Sequence, residues 1–269
     1  MVWLGTAQHE LALEELRSIW YRNPSSSFSF PGMSQPERDF AFREAKLGLG
    51  GVLAALPDVL WANSPNRCAD ALYKPYQWSV AARCGLSVPE TMISNAPEAV
   101  REFVGAAPET AVTKSLGGAG IMESGQVRVA YTHRLCRDDI ADLSGVRATA
   151  TTVQRWVPKS HEVRLTIIDD ASFPIAIHAD SDAAYLDWRS DLNNVRYELV
   201  TVPDDVLAAA RELMRRMRLS YAGFDFVVEP EGRWVMLEAN TGPQFGWLES
   251  ATGAPMVSAM ADLLVKGVR

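Results

Sequence analysis

A mixed α/β fold, α+β in the arrangement of its strands, is predicted by the alternation of two kinds of segment along the chain. Short runs rich in β-branched and aromatic residues are interleaved with runs of helical periodicity. Turns as short as Asp169-Asp170 and Glu229-Pro230-Glu231-Gly232 join consecutive strand-like runs, so much of the pairing is expected to be antiparallel. No internal repeat, low-complexity tract or heptad pattern is visible.

Taken in order, residues 11–20 have helical spacing and run into Asn23-Pro24-Ser25-Ser26-Ser27, a loop. A long amphipathic helix is expected over 35–56, with Ser34 and Pro36 at its start and Pro57 at its end. Residues 59–63 read as a short strand and 68–84 as a helix stopped by Gly85. Residues 88–93 are extended, and a helix follows from Pro97 to Val104. Residues 110–114 form a strand, Ser115-Leu116-Gly117-Gly118-Ala119-Gly120 a glycine-rich loop, and 127–132 another strand, followed by a polar segment with a short helix. A strand over 149–157 precedes a hairpin of 162–168 with 173–178. A helix over 204–219, a hairpin over 223–240 and a helix over 254–266 complete the chain.

A chain of 269 residues makes one large domain or two modest ones and can bury a substantial core. Its hydrophobic fraction of 48% and charged fraction of 22% are those of an ordinary globular protein. The net charge of −7 provides no electrostatic footprint for nucleic acid or an anionic membrane. No apolar run approaches the roughly 18 residues of a spanning helix, and residues 1–5 lack the features of a signal peptide. Cys68, Cys84 and Cys136 lack metal-ligand spacing and read as reduced thiols of a cytoplasmic protein. The histidines are scattered. Among the basic residues there are 21 arginines and only five lysines. In such a chain a lysine retained for its compact charge suits phosphate, a reading applied to Lys74 and Lys114; Lys46, Lys159 and Lys266 are taken as incidental.

The hairpin over 223–240 carries the most chemistry. With an even-numbered loop centred on Pro230-Glu231, Val228 pairs with Arg233 and Asp225 with Met236. Asp225, Glu238 and Asn240 then project from one face, with Gly223 opposite Glu238. Phe224, Phe226, Val235, Leu237 and Ala239 occupy the other face as core. An odd-numbered loop would reverse this parity. Three oxygen donors beside an apolar hairpin are costly to bury uncompensated, and a hard divalent cation compensates them; Mg²⁺ shared with phosphate oxygens fits best. Elsewhere, Lys114 ends a strand immediately before Gly117 and Gly118, whose backbone can approach phosphate closely. Gln154, Arg155, Trp156 and Val157, followed by Pro158, end a strand and can present backbone groups to an adenine edge.

The order of these pieces, together with Ser18-Ile19-Trp20-Tyr21-Arg22, Trp61-Ala62-Asn63-Ser64-Pro65, Tyr73-Lys74-Pro75, residues 85–91 and 154–164, Asp187-Trp188-Arg189 and the stretch from Gly223 through Glu249, resembles the ATP-grasp superfamily. Within it the chain is most similar to the graspetide ligases of the microviridin type, over most of its length from about residue 15. The resemblance implies two lobes clasping ATP, with boundaries at 1–87 for a reduced pre-ATP-grasp region, 88–157 for the small lobe and 158–269 for the lobe carrying the metal. The segment before Trp20 is short for the Rossmann-like domain that usually opens such ligases, so either that domain is reduced or Met1 is not the natural start.

Also implied are ATP and Mg²⁺ as cofactors, Lys74 and Lys114 on the phosphates, and Asp225, Glu238 and Asn240 on the metal. Arg164 and Arg189 are the candidates for the γ-phosphate, acyl phosphate or acceptor carboxylate. Glu162 is expected to orient one of these arginines or to serve as a base. The activity implied is activation of an Asp or Glu side chain of a ribosomal precursor peptide as an acyl phosphate, with macrocyclic ester or amide formation. The same ATP and metal residues would serve a RimK-like or amino-acid ligase, and a non-catalytic nucleotide- or peptide-binding protein is the alternative of another class. The apolar helix over 254–265 could serve a homodimer.

Overall fold

The computed structural model describes residues 3–22, 28–56, 58–118 and 120–267. The loop expected at 23–27, the stop at Pro57 and Ala119 of the glycine loop lie outside the described residues. The chain opens with strands β1 (Trp3–Gly5) and β2 (Glu10–Ala12), paired antiparallel. Strand β3 (Ser18–Trp20) follows, so the helix expected over residues 11–20 is replaced by strand and a single 3₁₀ turn at Leu13–Glu15. Pairing with a distant partner decides the matter: β3 lies parallel to β4 (Leu60–Ala62), and this tertiary ladder outweighs a helical spacing over so few residues. Between them, helix α1 (Gln35–Ala54) starts at Ser34 with a capping box to Glu37. None of its described residues is buried, and Phe40 and Leu47 are exposed, so the amphipathic face expected of it is not covered.

The single helix expected over 68–84 is two, α2 (Pro65–Leu72) and α3 (Lys74–Arg83), separated at Tyr73. Pro75 is the cause. Its ring has no N–H to donate and would clash with the carbonyl of residue 71 in a continuous helix, but it is tolerated in the first turn of a new one. The break places Lys74 at the start of α3.

The small lobe contains β5 (Thr91–Ser94), α4 (Pro97–Val104), β6 (Ala111–Thr113), the hairpin β7 (Gly120–Glu123) and β8 (Gln126–Val129), β9 (His133–Arg134), α5 (Arg137–Ala141) and β10 (Thr151–Arg155). Four of its strands form an antiparallel sheet in the order β5-β10-β6-β9. Val100 and Val104 of α4 pack on Ala111, Leu135 and Val153 beneath it. Thr110, expected in the strand, ends a 3₁₀ turn instead, and β7 begins at Gly120, where the sequence suggested only loop.

The large lobe contains β11 (His161–Ile168), β12 (Ala171–Ala179), α6 (Asp182–Leu186), β13 (Val195–Leu199), α7 (Asp204–Met217), β14 (Tyr221–Val228), β15 (Trp234–Asn240), α8 (Gly246–Thr252) and α9 (Met256–Lys266). Its antiparallel sheet runs β13-β12-β11-β14-β15. One face buries Leu165, Phe224, Phe226 and Met236 against Leu213 and Met217 of α7. The opposite face is divided. Its far part packs Ile168, Ile175 and Tyr221 against Leu248 of α8 and Met256, Met260 and Leu263 of α9. Those three positions turn the apolar stripe of α9 inward, and Val257 and Val265 remain exposed. The near part, around Glu162, Arg164 and Asp225, faces the small lobe.

Asn63 pins the N-terminal segment to this sheet. Its Nδ2 donates to the carbonyls of Tyr221 and Thr241, each at 2.8 Å, and its Oδ1 accepts from the backbone N–H of Ser220 at 2.6 Å and of Tyr221 at 3.3 Å.

Candidate active site

The loop of the terminal hairpin, residues 229–233, is odd-numbered, so Val228 pairs with Trp234 and Phe226 with Met236. A bulge between Asp225 and Phe226 then inserts one residue, Leu237, and restores the parity. Asp225 therefore faces Glu238 rather than Met236, and Gly223 faces Asn240 rather than Glu238. Asp225, Glu238 and Asn240 share a face by a route other than the one the sequence suggested. Met236 takes the core position, and Leu237 lines the cleft instead of the core. The space over Gly223 is used: a Cβ there would lie 2.8 Å from Pro243 Cβ and 3.1 Å from Arg164 Nη1.

Both carboxylates are engaged by cations. Arg164, opposite Asp225 on β11, places Nε 2.7 Å from Asp225 Oδ1, and Lys74 at the start of α3 bonds Glu238. Burial pushes the Asp225 carboxyl well above its ordinary value, against the pull of Arg164 and with the help of the Glu238 charge. Burial would raise Glu238 too, but Lys74, Lys114 and Arg189 together hold it low. The pair titrates as a unit, with Glu238 carrying the charge.

Lys114 faces the same carboxylates from the small lobe. Burial depresses its ammonium to about 8, Glu238 opposes this, and Lys74 and Arg189 depress it further. A phosphate placed against Lys114 would restore its charge, so ADP binding should take up a proton between about pH 8 and the ordinary lysine value of 10.5. Calorimetric titrations at pH about 9 in buffers of different ionisation enthalpy should show that uptake, and Lys114→Met should remove it. Buffer-independent heats in the wild type would place Lys114 away from the phosphates.

Arg189 grips Asp187 with two bonds, Nε to Oδ1 at 2.8 Å and Nη2 to Oδ2 at 2.7 Å. Asp187 Oδ2 also accepts the N–H and hydroxyl of Thr132 in the small lobe, both at 3.1 Å. Burial works against the Asp187 charge, yet these partners hold its carboxyl at about 2. The Trp188 ring lies 5.9 Å from the Arg164 guanidinium and stacks on Trp247 at 5.4 Å, and Trp234 packs edge-on against Phe226.

Glu162 bonds neither arginine. It is buried, its carboxyl is raised by that burial, and its partner is Lys159, whose own side chain is buried. Lys159, incidental by sequence, is part of the cleft, with Nζ 5.3 Å from the ring centroids of both Trp156 and Tyr185. Its place one residue after Pro158, in a chain with few lysines, was the available signal. Asp187, Thr132 and Tyr185 were likewise given no role of their own. At the hinge, Gln154 is buried and donates to Thr91 Oγ1 at 2.7 Å, while Arg155 turns outward over Phe103. The Trp156 N–H is committed to the Thr110 carbonyl at 2.8 Å. Gly117 and Gly118 are exposed, with nothing within 4 Å of an added Cβ.

The donor set fits a hard cation. Asp225 and Glu238 are adjacent, partly buried oxygen donors now matched by Arg164 and Lys74, and Asn240 adds an amide oxygen on the same face. Among the described residues no group of three His, Cys, Asp or Glu side chains could hold a metal, so the remaining ligands must come from phosphate or water.

No protein-family model matches the chain, and no curated protein sequence does. Solved structures do match. The macrocyclase MdnC of Microcystis aeruginosa, bound with precursor peptide MdnA, has 29% identity and a TM-score of 0.85, over 98% of this chain and 83% of that one. A RiPP-associated ATP-grasp ligase of Chryseobacterium gregarium, in complex with ADP and a leader and core peptide, has 25% identity and a TM-score of 0.89, over 99% and 81%. The macrocyclase MdnB of Microcystis aeruginosa has 25% identity and a TM-score of 0.79, over 98% and 81%. The chain has the fold of the ATP-grasp ligases. Among them it is similar to these peptide-directed enzymes.

Proposed function

We propose that this protein is an ATP- and Mg²⁺-dependent ligase that joins an Asp or Glu side chain of a ribosomal precursor peptide to a hydroxyl or amine of the same peptide, forming a macrocyclic ester or amide. The observation that carries the reading is the facing pair Asp225 and Glu238, partly buried and within the field of Lys74, Lys114, Arg164 and Arg189. A site with this charge can hold nucleotide phosphates against a peptide carboxylate. The likeness to MdnC, whose structure contains a precursor peptide, supports that acceptor.

In this reading the γ-phosphoryl group passes from ATP to the peptide carboxylate, releasing ADP; the hydroxyl or amine then attacks the acyl carbon, loses its proton and expels phosphate. Lys74 and Lys114 hold the phosphates. Arg164 and Arg189 steady the carboxylate and the transferring group, and are themselves fixed by Asp225 and Asp187. The hinge from Gln154 to Val157 receives the adenine, and with the Trp156 N–H already committed, the backbone of Val157 is the part available to its edge. Lys159 and Glu162 neutralise each other at the cleft wall, and Gly117 and Gly118 cover the phosphates from the small lobe. Asp225, Glu238 and Asn240 would hold Mg²⁺, which neutralises phosphate charge when bound.

The division at 1–87, 88–157 and 158–269 belongs to the same proposal, supported by the separation of the two main sheets on either side of residue 157. No helix among the described residues is long and apolar enough to cross a membrane. A cytoplasmic location is supported by the free thiols of Cys68, Cys84 and Cys136, and pairing of two copies through the exposed side of α9 belongs to the proposal too. Intact mass of a candidate precursor after incubation with protein, ATP and Mg²⁺ should fall by one water per bond formed. An unchanged peptide alongside turnover of ATP with a free amino acid would assign the acceptor elsewhere.

A further inference from the structure

The buried carboxylate of Asp187 receives five donors, three from Arg189 and two from Thr132. Arg189 adds its backbone N–H, at 3.2 Å, to the two guanidinium bonds. Both Thr132 donors fall on Oδ2, the oxygen that Arg189 Nη2 also uses. Arg189 is enough to match the charge of Asp187. The two further donors come from the other lobe, and among the described residues they are the hydrogen bonds that join the small lobe to the large one outside the hinge.

The place of Thr132 in the small lobe ties it to Lys114. Strands β6 and β9 pair antiparallel, with Thr113 opposite His133. Lys114 leaves β6 and Thr132 enters β9 at the same end of this ladder, each one residue beyond it. One strand edge therefore presents Lys114 to the phosphate site and Thr132 to Asp187, and both residues line the same cleft.

On the facing side, residues 185–189 serve three places at once. The Tyr185 hydroxyl donates to the Lys159 carbonyl beside the hinge at 3.1 Å, Asp187 takes Thr132, and the charge of Arg189 acts on Asp225 and Glu238. Closure also has an electrostatic cost, because Arg189 and Lys114 are like charges and Arg189 depresses the Lys114 ammonium. The Thr132 bonds oppose that repulsion, and an anionic phosphoryl group between the two cations removes it.

We propose that Thr132 is a positioning residue for Arg189: as the small lobe closes on nucleotide, its two donors fix Asp187 Oδ2, and Asp187 holds the guanidinium toward the group being transferred. Arg189 is then set only while Lys114 is on the phosphates, so the arginine is in place only in the closed cleft. The role rests on the ligase reading above.

The test is phenylglyoxal labelling of Arg189, followed by mass spectrometry of the digested protein, with calorimetry of ADP binding beside it. In the wild type, saturating ADP and Mg²⁺ should slow labelling of Arg189 by about tenfold, because closure fixes its carboxylate partner. Thr132→Val keeps the branched shape and the backbone N–H but removes the hydroxyl. Its ADP affinity should stay within about twofold of wild type, since Lys74 and Lys114 are intact, while Arg189 should label about fivefold faster in the ADP complex. Thr132→Ser returns the hydroxyl and should return the slow labelling. In turnover of a precursor peptide, Thr132→Val should lower kcat about tenfold at unchanged KM for ATP. Labelling in the wild type that ADP does not slow, wild-type labelling in Thr132→Val, no rescue by serine, or a raised KM at unchanged kcat would each overturn the proposal. The labelling assay uses no peptide, so a wrong acceptor leaves the role of Thr132 standing. Failure of the wild type to bind ADP would overturn both readings.

Discussion

Glu238→Gln is expected to lower ATP-dependent turnover by about a thousandfold or more, equivalent to about 4 kcal/mol of transition-state stabilisation. The substitution keeps the shape of the side chain and leaves an oxygen for Lys74 to bond, but it removes the charge that a divalent cation requires. Its effect on folding should be small, because two consequences oppose each other. Lys74, Lys114 and Arg189 lose a shared counter-charge, while Asp225 loses the neighbour whose charge raises it. The melting temperature should stay within a few degrees of wild type, since about 1 kcal/mol corresponds to about 2–4 °C at this size. Peptide mass loss and ATP consumption measured beside a thermal melt separate the two effects. A folded, fully active Glu238→Gln would remove the metal assignment altogether.

The hairpin that carries Glu238 shows how much of the site could be read from sequence. That Glu238 and Asn240 share a face was legible from strand alternation, but the register that brings Asp225 to the same face was not. An odd loop and a bulge each invert the parity, and their effects cancel. A bulge has no compositional signature here, because Leu237 suits core or cleft wall equally well. The fold was legible where a breaker marks an edge. Helix α4 has the expected bounds from Pro97 to Val104, and the β11–β12 turn falls on Asp169-Asp170, where Asp169 adopts a positive φ. It was not legible where a short element depends on a remote partner. Strand β3 exists because β4 lies beside it, and β13 because the exposed edge of β12 accepts it. The role of Lys159 was hidden for a related reason: its counter-charge, Glu162, sits across the strand start, and only tertiary burial makes the pair consequential.

Asn63→Ala should be the most destabilising of the single substitutions considered. Asn63 is 1% exposed and its amide satisfies two backbone carbonyls and two backbone N–H groups drawn from both strands of the metal-bearing hairpin region. Alanine would leave several of these groups buried without partners, at about 1–3 kcal/mol each, for a total loss of about 3–5 kcal/mol. The expected consequence is a melting temperature lower by about 10 °C. Asn63→Asp sharpens the test. It keeps the acceptor for the Ser220 and Tyr221 N–H groups but sets a carboxylate against the Tyr221 and Thr241 carbonyls. Its folded-state pKa would rise above the unfolded value of about 3.9, so its stability relative to wild type should be best below that value and worsen as pH climbs through the raised one. Thr241 directly follows Asn240, and Tyr221 opens the strand that carries Asp225, so the same bonds that hold the N-terminal segment also fix the open end of the metal-facing hairpin. Turnover by either variant should therefore fall at temperatures well below its own melting point. An Asn63→Ala protein that melts within a degree of wild type would show that this junction is held by other contacts and that the N-terminal segment contributes little to the geometry of the site.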